Sequence, residues 1–260
     1  MVTRTLTAED FDAVHAAFLD AFSDYVISLA FTREQFAELL TRRGWLPEAS
    51  VGIFDGERLV AFTLNAVDGA RAYDSGTGVV LTHRRRGLGR AMLDFIEPRL
   101  RARGCTEYVL EVLEQNQRAL ELYRSSGFEV ARGLQCWRYG GAAAPPEGRS
   151  SIHPEWWDVQ PSWQNTAASI GRARDPHVIL GDAHGYAVVF PSNGDLAQLA
   201  VAREARRRGV GTRLLRQAQT LAGKPLRILN VDDRDAGIAA FLEHASAAKT
   251  VRQYEMIKRL

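Results

Sequence analysis

"THRRRGLGRAML", residues 82–93, and "EARRRGVGTRLL", residues 204–215, are nearly the same phrase. Arg84 pairs with Arg206, Gly87 with Gly209 and Gly89 with Gly211, at a constant offset of 122 residues. The context repeats as well. A short apolar strand signal precedes each phrase, "TGVVL" at 77–81 and "AQLAV" at 197–201. An amphipathic helix pattern follows each, "LGRAMLDFIEPRLRARG" and "VGTRLLRQAQTLAG", closed by a glycine. Then come a strand ("EYVLEVL" at 107–113, "LRILNV" at 226–231), a helix, and a last strand ("EVARGLQCWRY", "TVRQYEMIKRL"). A repeat this long is a duplicated domain, because solenoid units have periods of about 20–50 residues.

The join is readable too. "GGAAAPPEGRSS", residues 140–151, is small, rich in Pro and Gly, and lacks apolar periodicity, which suits a linker. The expected organisation is a first domain over 1–139, a linker over 140–152 and a second domain over 153–260. Upstream of the first glycine phrase, "AEDFDAVHAAFLDAF" and "TREQFAELLTRRG" carry helical spacing, the second with Thr32 as N-cap and Gly44 at its end. "SVGIFDGERLVAFTLNAV" reads as strand, Asp-Gly turn and strand, a hairpin. "HVILGDAHGYAVVF" takes the hairpin position in the second half. The fold class expected is α/β or α+β, each half a mixed sheet with helices.

Bulk properties exclude several classes. The chain has 260 residues, enough for one or two domains with a sizeable core. Two cysteines, Cys105 and Cys136, are too few for a disulfide framework and lack metal-type spacing, so a reducing cytoplasmic setting is expected. No metal is expected. The N-terminal stretch turns acidic where a secretory signal needs an apolar segment, and no run of about 18 apolar residues would span a membrane. A formal net charge of +2 does not describe a general polyanion binder, and the basic charge is clustered at Arg84–Arg86 and Arg203–Arg208. No nucleic-acid partner is expected.

A strand feeding a glycine turn and then a helix is an anion site, because the first helical N–H groups have no intrahelical partner and the helix dipole adds positive charge. The phrase is neither a Walker loop nor a Rossmann fingerprint. A tight turn is the other reading of such glycines, and a solvated face that of arginine runs, as for Arg99, Arg101 and Arg103.

Arg-x-x-Gly-x-Gly after a strand resembles the pyrophosphate loop of the GNAT N-acetyltransferase superfamily. "VVLTHRRRGLGRAML" is similar to the family's coenzyme A loop and helix, and "EVLEQNQRALELYRSSGFEV" to its next block, in the expected order and spacing. The likeness covers roughly residues 1–139, with its specific motifs in 77–130. It implies two tandem GNAT-like domains, each with a mixed, mostly antiparallel sheet flanked by helices. It implies acetyl-CoA as co-substrate, with a small-molecule or peptide amine attacking the thioester directly and no metal. The backbone of Val79, Val80 and Leu81 would lie along the pantetheine arm, one N–H polarising the carbonyl. The loop around Arg84, Arg86, Gly87, Leu88, Gly89 and Arg90 would hold the phosphates. Asn116 would bond the pantetheine or cap its helix.

Tyr123 falls where many family members place a tyrosine near the coenzyme A sulfur, and a phenol can protonate a leaving thiolate. A core tyrosine is the other reading. The attacking amine must lose a proton, and Asp74 and Glu111 are the candidate bases. Each stands alone in the sequence, and a surface carboxylate is its other reading. His83 is expected at the surface near the phosphates. Asp24 and Tyr25, in "DAFSDYVISLAF" at 20–31, are possible acceptor contacts.

The second half keeps Arg206, Gly209 and Gly211 but puts Asp235 in place of Asn116, Leu242 in place of Tyr123, and Ser246-Ala247 in place of Gly127-Phe128. It is expected to be degenerate and structural, with coenzyme A binding without turnover as the other possibility. Trp156, Trp157 and Trp163 are expected to pack a domain interface, an acceptor pocket being the alternative. The rival to an enzyme is a non-catalytic acyl-CoA-binding or sensor protein.

Overall fold

The computed structural model describes residues 1–27 and 29–260. Ser28, within the 20–31 stretch, lies outside the described residues. The chain divides into two compact units, Met1–Ala131 with Glu255–Leu260, and Arg132–Tyr254.

The first unit runs β1 (Val2–Thr5), α1 (Phe11–Ala21), α2 (Arg33–Arg43), β2 (Val51–Asp55), β3 (Arg58–Asp68), β4 (Arg71–Val79), α3 (Leu88–Ala102), β5 (Glu107–Leu113) and α4 (Gln117–Ser125). The strands lie in the order β1-β2-β3-β4-β5. All neighbours are antiparallel except the parallel pair β4–β5. Two helices sandwich this sheet because β3 alternates apolar contacts between faces. Phe62 meets Phe18 of α1 at 6.1 Å between ring centroids, and the next residue, Thr63, meets Met92 Sδ of α3 at 3.8 Å. The closing segment returns to this unit, where the Leu260 N–H donates to Thr106 O.

The sequence-expected caps appear. Thr32 accepts from the Gln35 N–H in a capping box, and Gly44 ends α2 in the left-handed region. The "TGVVL" strand is displaced. β4 starts at Arg71 and stops at Val79, and Leu81–His83 form a 3-10 turn.

The second unit contains most of β6 (Glu129–Tyr139), α5 (Ala167–Arg172), β7 (Val178–Asp182), β8 (Gly185–Phe190), β9 (Asp195–Val201), α6 (Val210–Ala222), β10 (Leu226–Asp232), α7 (Ala236–His244) and the start of β11 (Ala248–Arg259). Here β7, β8 and β9 pair antiparallel, β9 and β10 parallel, and β10 and β6 antiparallel. One face buries Leu180, Ala187 and Val189 with Leu214, Leu215 and Ala218 of α6. The other packs Tyr186, Val188 and Phe190 against Ile170, Trp156 and Trp157. Trp163 is buried, and Trp156 and Trp157 are partly buried against this cluster.

Candidate active site

β4 and β5 pair only from Arg71↔Glu107 to Asp74↔Leu110, although β4 continues to Val79 and β5 to Leu113. Beyond Asp74 the two strands are no longer partners, and a wedge opens in the sheet. A β-bulge coincides with this point. Asn65 pairs with Asp74 and Leu64 with Gly76, so Ser75 is the extra residue. A bulge resets the alternation of side chains, which puts Asp74 and Thr77 on one face although they are three apart. The bulge is braced. Ser75 Oγ donates to Leu64 O at 3.0 Å, and Arg43 Nη1 of α2 donates to Ser75 O at 2.7 Å.

Asp74 sits at the closed end of the wedge. It is 4% exposed, which overturns the surface reading. Its Oδ1 accepts from the Gly76 N–H at 2.9 Å, and its Oδ2 from Thr77 Oγ1 at 2.6 Å and from the Tyr123 hydroxyl at 3.3 Å. Burial raises its pKa to about 6, against those hydrogen bonds and the charge of Arg43, which favour the carboxylate. Tyr123, on α4, is buried as well. Burial first, and then the Asp74 charge, hold its phenol well above its ordinary value. Glu111, half-buried on β5, accepts from the Tyr73 hydroxyl at 3.1 Å. The structure thus brings Asp74 and Tyr123 into contact. Sequence reasoning missed Thr77, Thr63, Tyr73 and Arg43. The Ser-Gly pair inside a strand was the available signal for the bulge.

Further along, the Val80 N–H donates to Val60 O at 3.0 Å and the Leu81 N–H to Asp20 Oδ1 at 3.0 Å. Alternation turns the Val79 N–H the other way, to the side of β4 away from β3. Of Val79, Val80 and Leu81, Val79 therefore presents its N–H on the wedge side.

The glycine loop is built from left-handed residues, Arg85 at φ 63° and Gly87 at φ 75°. The first intrahelical bond of α3 runs from the Ala91 N–H to Gly87 O, so the N–H groups of Leu88, Gly89 and Arg90 have no intrahelical partner. No acidic residue lies in that first turn. Gly87 is needed for its backbone and Gly89 for packing, since a Cβ there would stand 2.8 Å from Leu122 Cδ2 of α4. Three of the loop's arginines, Arg84, Arg86 and Arg90, donate to protein acceptors. Arg84 donates to both carboxylate oxygens of Asp24 at 2.7 and 2.8 Å, to Ala21 O at 2.8 Å and to Val79 O at 3.3 Å. Arg90 donates to Ser125 O and Ser126 Oγ, both at 2.7 Å, and Arg86 to Thr82 O at 3.2 Å. Asp24 is therefore an anchor for Arg84.

His83 is buried, which corrects the surface expectation. The 3-10 turn folds it in, with Nδ1 2.9 Å from Thr82 Oγ1 and Nε2 3.4 Å from Asp55. Asn116 caps α4, accepting from the Ala119 N–H at 3.2 Å, and Tyr25 hydrogen-bonds to it.

In the second unit Arg207 and Gly209 are again left-handed, and Arg206 again donates to an aspartate, Asp158, at 2.7 Å and to two backbone oxygens, Trp156 O and Val201 O. Gly211 would place a Cβ 3.4 Å from Phe241.

Residues 11–128 and 144–244 match the acetyltransferase (GNAT) family. The chain belongs to that family. It is a GNAT-type N-acetyltransferase, and acetyl-CoA is the family's donor. Its fold resembles the crystal structure of a GCN5-related N-acetyltransferase from Sphaerobacter thermophilus, at 14% identity, covering 99% of this chain and 95% of that one, TM-score 0.75. It also resembles a tandem GNAT protein from the clavulanic acid biosynthesis pathway, at 16% identity, covering 99% and 98%, TM-score 0.66. At these identities the likeness is one of fold. No match was found among curated proteins. Among the described residues no helix is long and apolar enough to cross a membrane, and no three His, Cys, Asp or Glu side chains are grouped so as to hold a metal ion.

Proposed function

We propose that the protein transfers acetyl from acetyl-CoA to a primary amine of a small molecule or peptide, by direct attack in a ternary complex, with the chemistry in the N-terminal domain, 1–139. The observation that carries this is the Asp74–Tyr123 contact at the wedge, in a frame whose second copy has leucines at both positions. The residues present suit the donor. The left-handed loop and the N–H groups of Leu88, Gly89 and Arg90 would hold the pyrophosphate, and the Val79 edge and Asn116 the pantetheine. Arg84 shapes that loop from behind. When bound, acetyl-CoA supplies the activated acyl carbon. The chain's part is to polarise its carbonyl from the Val79 N–H, to remove a proton from the amine through Asp74 or Glu111, and to protonate the departing sulfur from Tyr123.

The second domain, 153–260, joined by the 140–152 linker, serves in this reading as a degenerate partner whose loop of Arg206, Gly209 and Gly211 turns nothing over. The setting proposed is cytoplasmic, in keeping with two buried free cysteines. Calorimetric titration with acetyl-CoA, followed by thiol release across a panel of primary amines, tests the assignment. One site per chain, lost on Gly89→Leu and kept on Gly211→Leu, with turnover of some amine, is the expected result. Binding without turnover across the panel would favour an acyl-CoA sensor instead.

A further inference from the structure

The acid and the base that amine acetylation needs are bonded to each other here. Tyr123 donates to Asp74 Oδ2 at 3.3 Å, and Thr77 Oγ1 donates to the same oxygen at 2.6 Å. The first distance is long for an O–H···O bond, as catalytic contacts often are before substrates close around them. Both residues are buried, so bulk water is a poor proton exchanger for either.

Thr77 has two further neighbours, the Tyr123 hydroxyl and Thr63 Oγ1, the latter at 2.9 Å. A hydroxyl has one proton, so Thr77 can donate to Asp74 or to Thr63 but not to both. With Asp74 charged, Thr77 donates to it and accepts from Thr63. With Asp74 protonated, Thr77 is free to turn and donate to Thr63. Each charge state of the carboxyl therefore finds a satisfied arrangement. A group that only braced the fold would need one state. A group that carries a proton needs two.

We infer that Asp74 and Tyr123 form a single proton relay, with Thr77 as the positioning residue that lets the carboxyl change charge. This rests on the acetyl-transfer reading given above. The amine nitrogen bonds to the acyl carbon as its N–H proton passes to the Asp74 carboxylate. The C–S bond breaks, and the sulfur takes the Tyr123 hydroxyl proton. The Asp74 carboxyl proton then crosses to the Tyr123 phenolate along the hydrogen bond that joins them. An N–H and a C–S bond are broken, an N–C and an S–H bond are formed, and both side chains return to their starting states. Other charged or titratable groups face the pair. Arg43 acts on Asp74 from α2, Tyr73 and Tyr108 lie within reach of its charge, Tyr73 also binds Glu111, and Tyr25 acts on Tyr123. None of these bridges Asp74 to Tyr123, whereas Thr77 hydrogen-bonds to both.

The test uses the full chain, acetyl-CoA, and whichever amine of the panel gives turnover. Variants are Asp74→Asn, Tyr123→Phe, their double, Thr77→Val and Thr77→Ser, each first shown by titration to bind acetyl-CoA. Each of the first two singles is expected to lose at least about 100-fold in kcat. The double should lose no more than the worse single, because two residues acting as one unit are not additive. The acidic limb of kcat, set near pH 6 by Asp74, should move to higher pH in Thr77→Val, where the carboxylate loses a donor, and return in Thr77→Ser. Losses that multiply in the double, or a limb unmoved in Thr77→Val, would overturn the relay while leaving the transferase standing. A wild-type protein that binds acetyl-CoA but acetylates no amine would instead remove the transferase reading, and the relay with it.

Discussion

The wedge of the first unit and the same place in the second share a frame and differ in chemistry. Both have a bulge one residue after the key position, at Ser75 and at Ala197. Both have a left-handed arginine, an arginine riveted to an aspartate and two carbonyl oxygens, and a capping side chain at the next helix. Where the first unit has Asp74, Thr77, Glu111 and Tyr123, the second has Leu196, Leu199, Asn230 and Leu242. Leu196 and Leu242 are core residues there. The repeated phrase is thus first a device for building the loop. In the function proposed above, the chemistry falls to four side chains of the first unit that the frame tolerates but does not require.

The largest expected contrast is at one aligned pair. Tyr123→Phe should lower kcat by roughly 100- to 10,000-fold with little change in stability, since the ring stays packed. Leu242→Ala should leave kcat intact and cost about 2–5 kcal/mol in urea unfolding. A Tyr123→Phe enzyme with normal kcat would erase the functional difference between the halves and leave Tyr123 a core tyrosine.

Two buried aspartates set the next contrast, in pH dependence. Asp74 is raised to about 6, whereas an unfolded aspartate titrates near pH 4. The folded state therefore holds this proton more tightly, and stability falls as pH rises between those values. Asp74→Asn should be more stable than wild type near pH 7 by at most about 3 kcal/mol, and the gain should vanish by about pH 4. Asp232 in the second unit behaves oppositely. Burial pushes it up, but hydrogen bonds from Arg234 and Arg132 outweigh that and set it at about 2. Its contribution is present above about pH 4 and is lost as pH falls towards 2. Urea midpoints across pH read both, and a midpoint for Asp74→Asn that tracks wild type throughout would refute the raised value.

Much of the frame was legible because it is local. Thr32 bounds α2 through its side-chain cap and Gly44 through a left-handed turn, local devices that any chain with those residues tends to use, and "EYVLEVL" is β5 residue for residue. The loop was legible because left-handed turns need glycine. What alternation could not show was the bulge. Without it Asp74 and Thr77 fall on opposite faces of β4, and Thr77 could not donate to the carboxylate. Nor could local signals show where arginine side chains go. Arg84, expected from its loop as a coenzyme A contact, pairs with Asp24, 60 residues earlier. His83 is hidden by its contact with Asp55, 28 residues away.

The rivets follow in size. Arg84→Gln and Arg206→Gln should each lower stability by about 1 kcal/mol, because the ion pairs are partly exposed and the lost contacts are mostly to carbonyl oxygens. Only Arg84→Gln should also weaken acetyl-CoA binding, through a loosened loop. Equal stability losses with unequal binding losses would separate building the loop from using it.

The smallest effect is also the one that divides two readings of a single residue. Asn116 caps α4 as Asp235 caps α7, accepting at 3.2 and 3.0 Å. Asn116→Ala and Asp235→Ala should therefore cost a similar amount, about 1 kcal/mol. If Asn116 is only a cap, the matched losses are the whole story and acetyl-CoA affinity stays level in both variants. If it also binds pantetheine, Asn116→Ala alone should raise the acetyl-CoA dissociation constant, by about 5- to 10-fold for one hydrogen bond of roughly 1 kcal/mol. Asn116→Asp sharpens this further. It keeps the cap, since an aspartate serves as well there, but replaces the amide N–H group that only a ligand or Tyr25 would use. Stability restored with affinity still weakened would show that one side chain does two things in the first unit, whereas its aligned partner in the second serves as a cap.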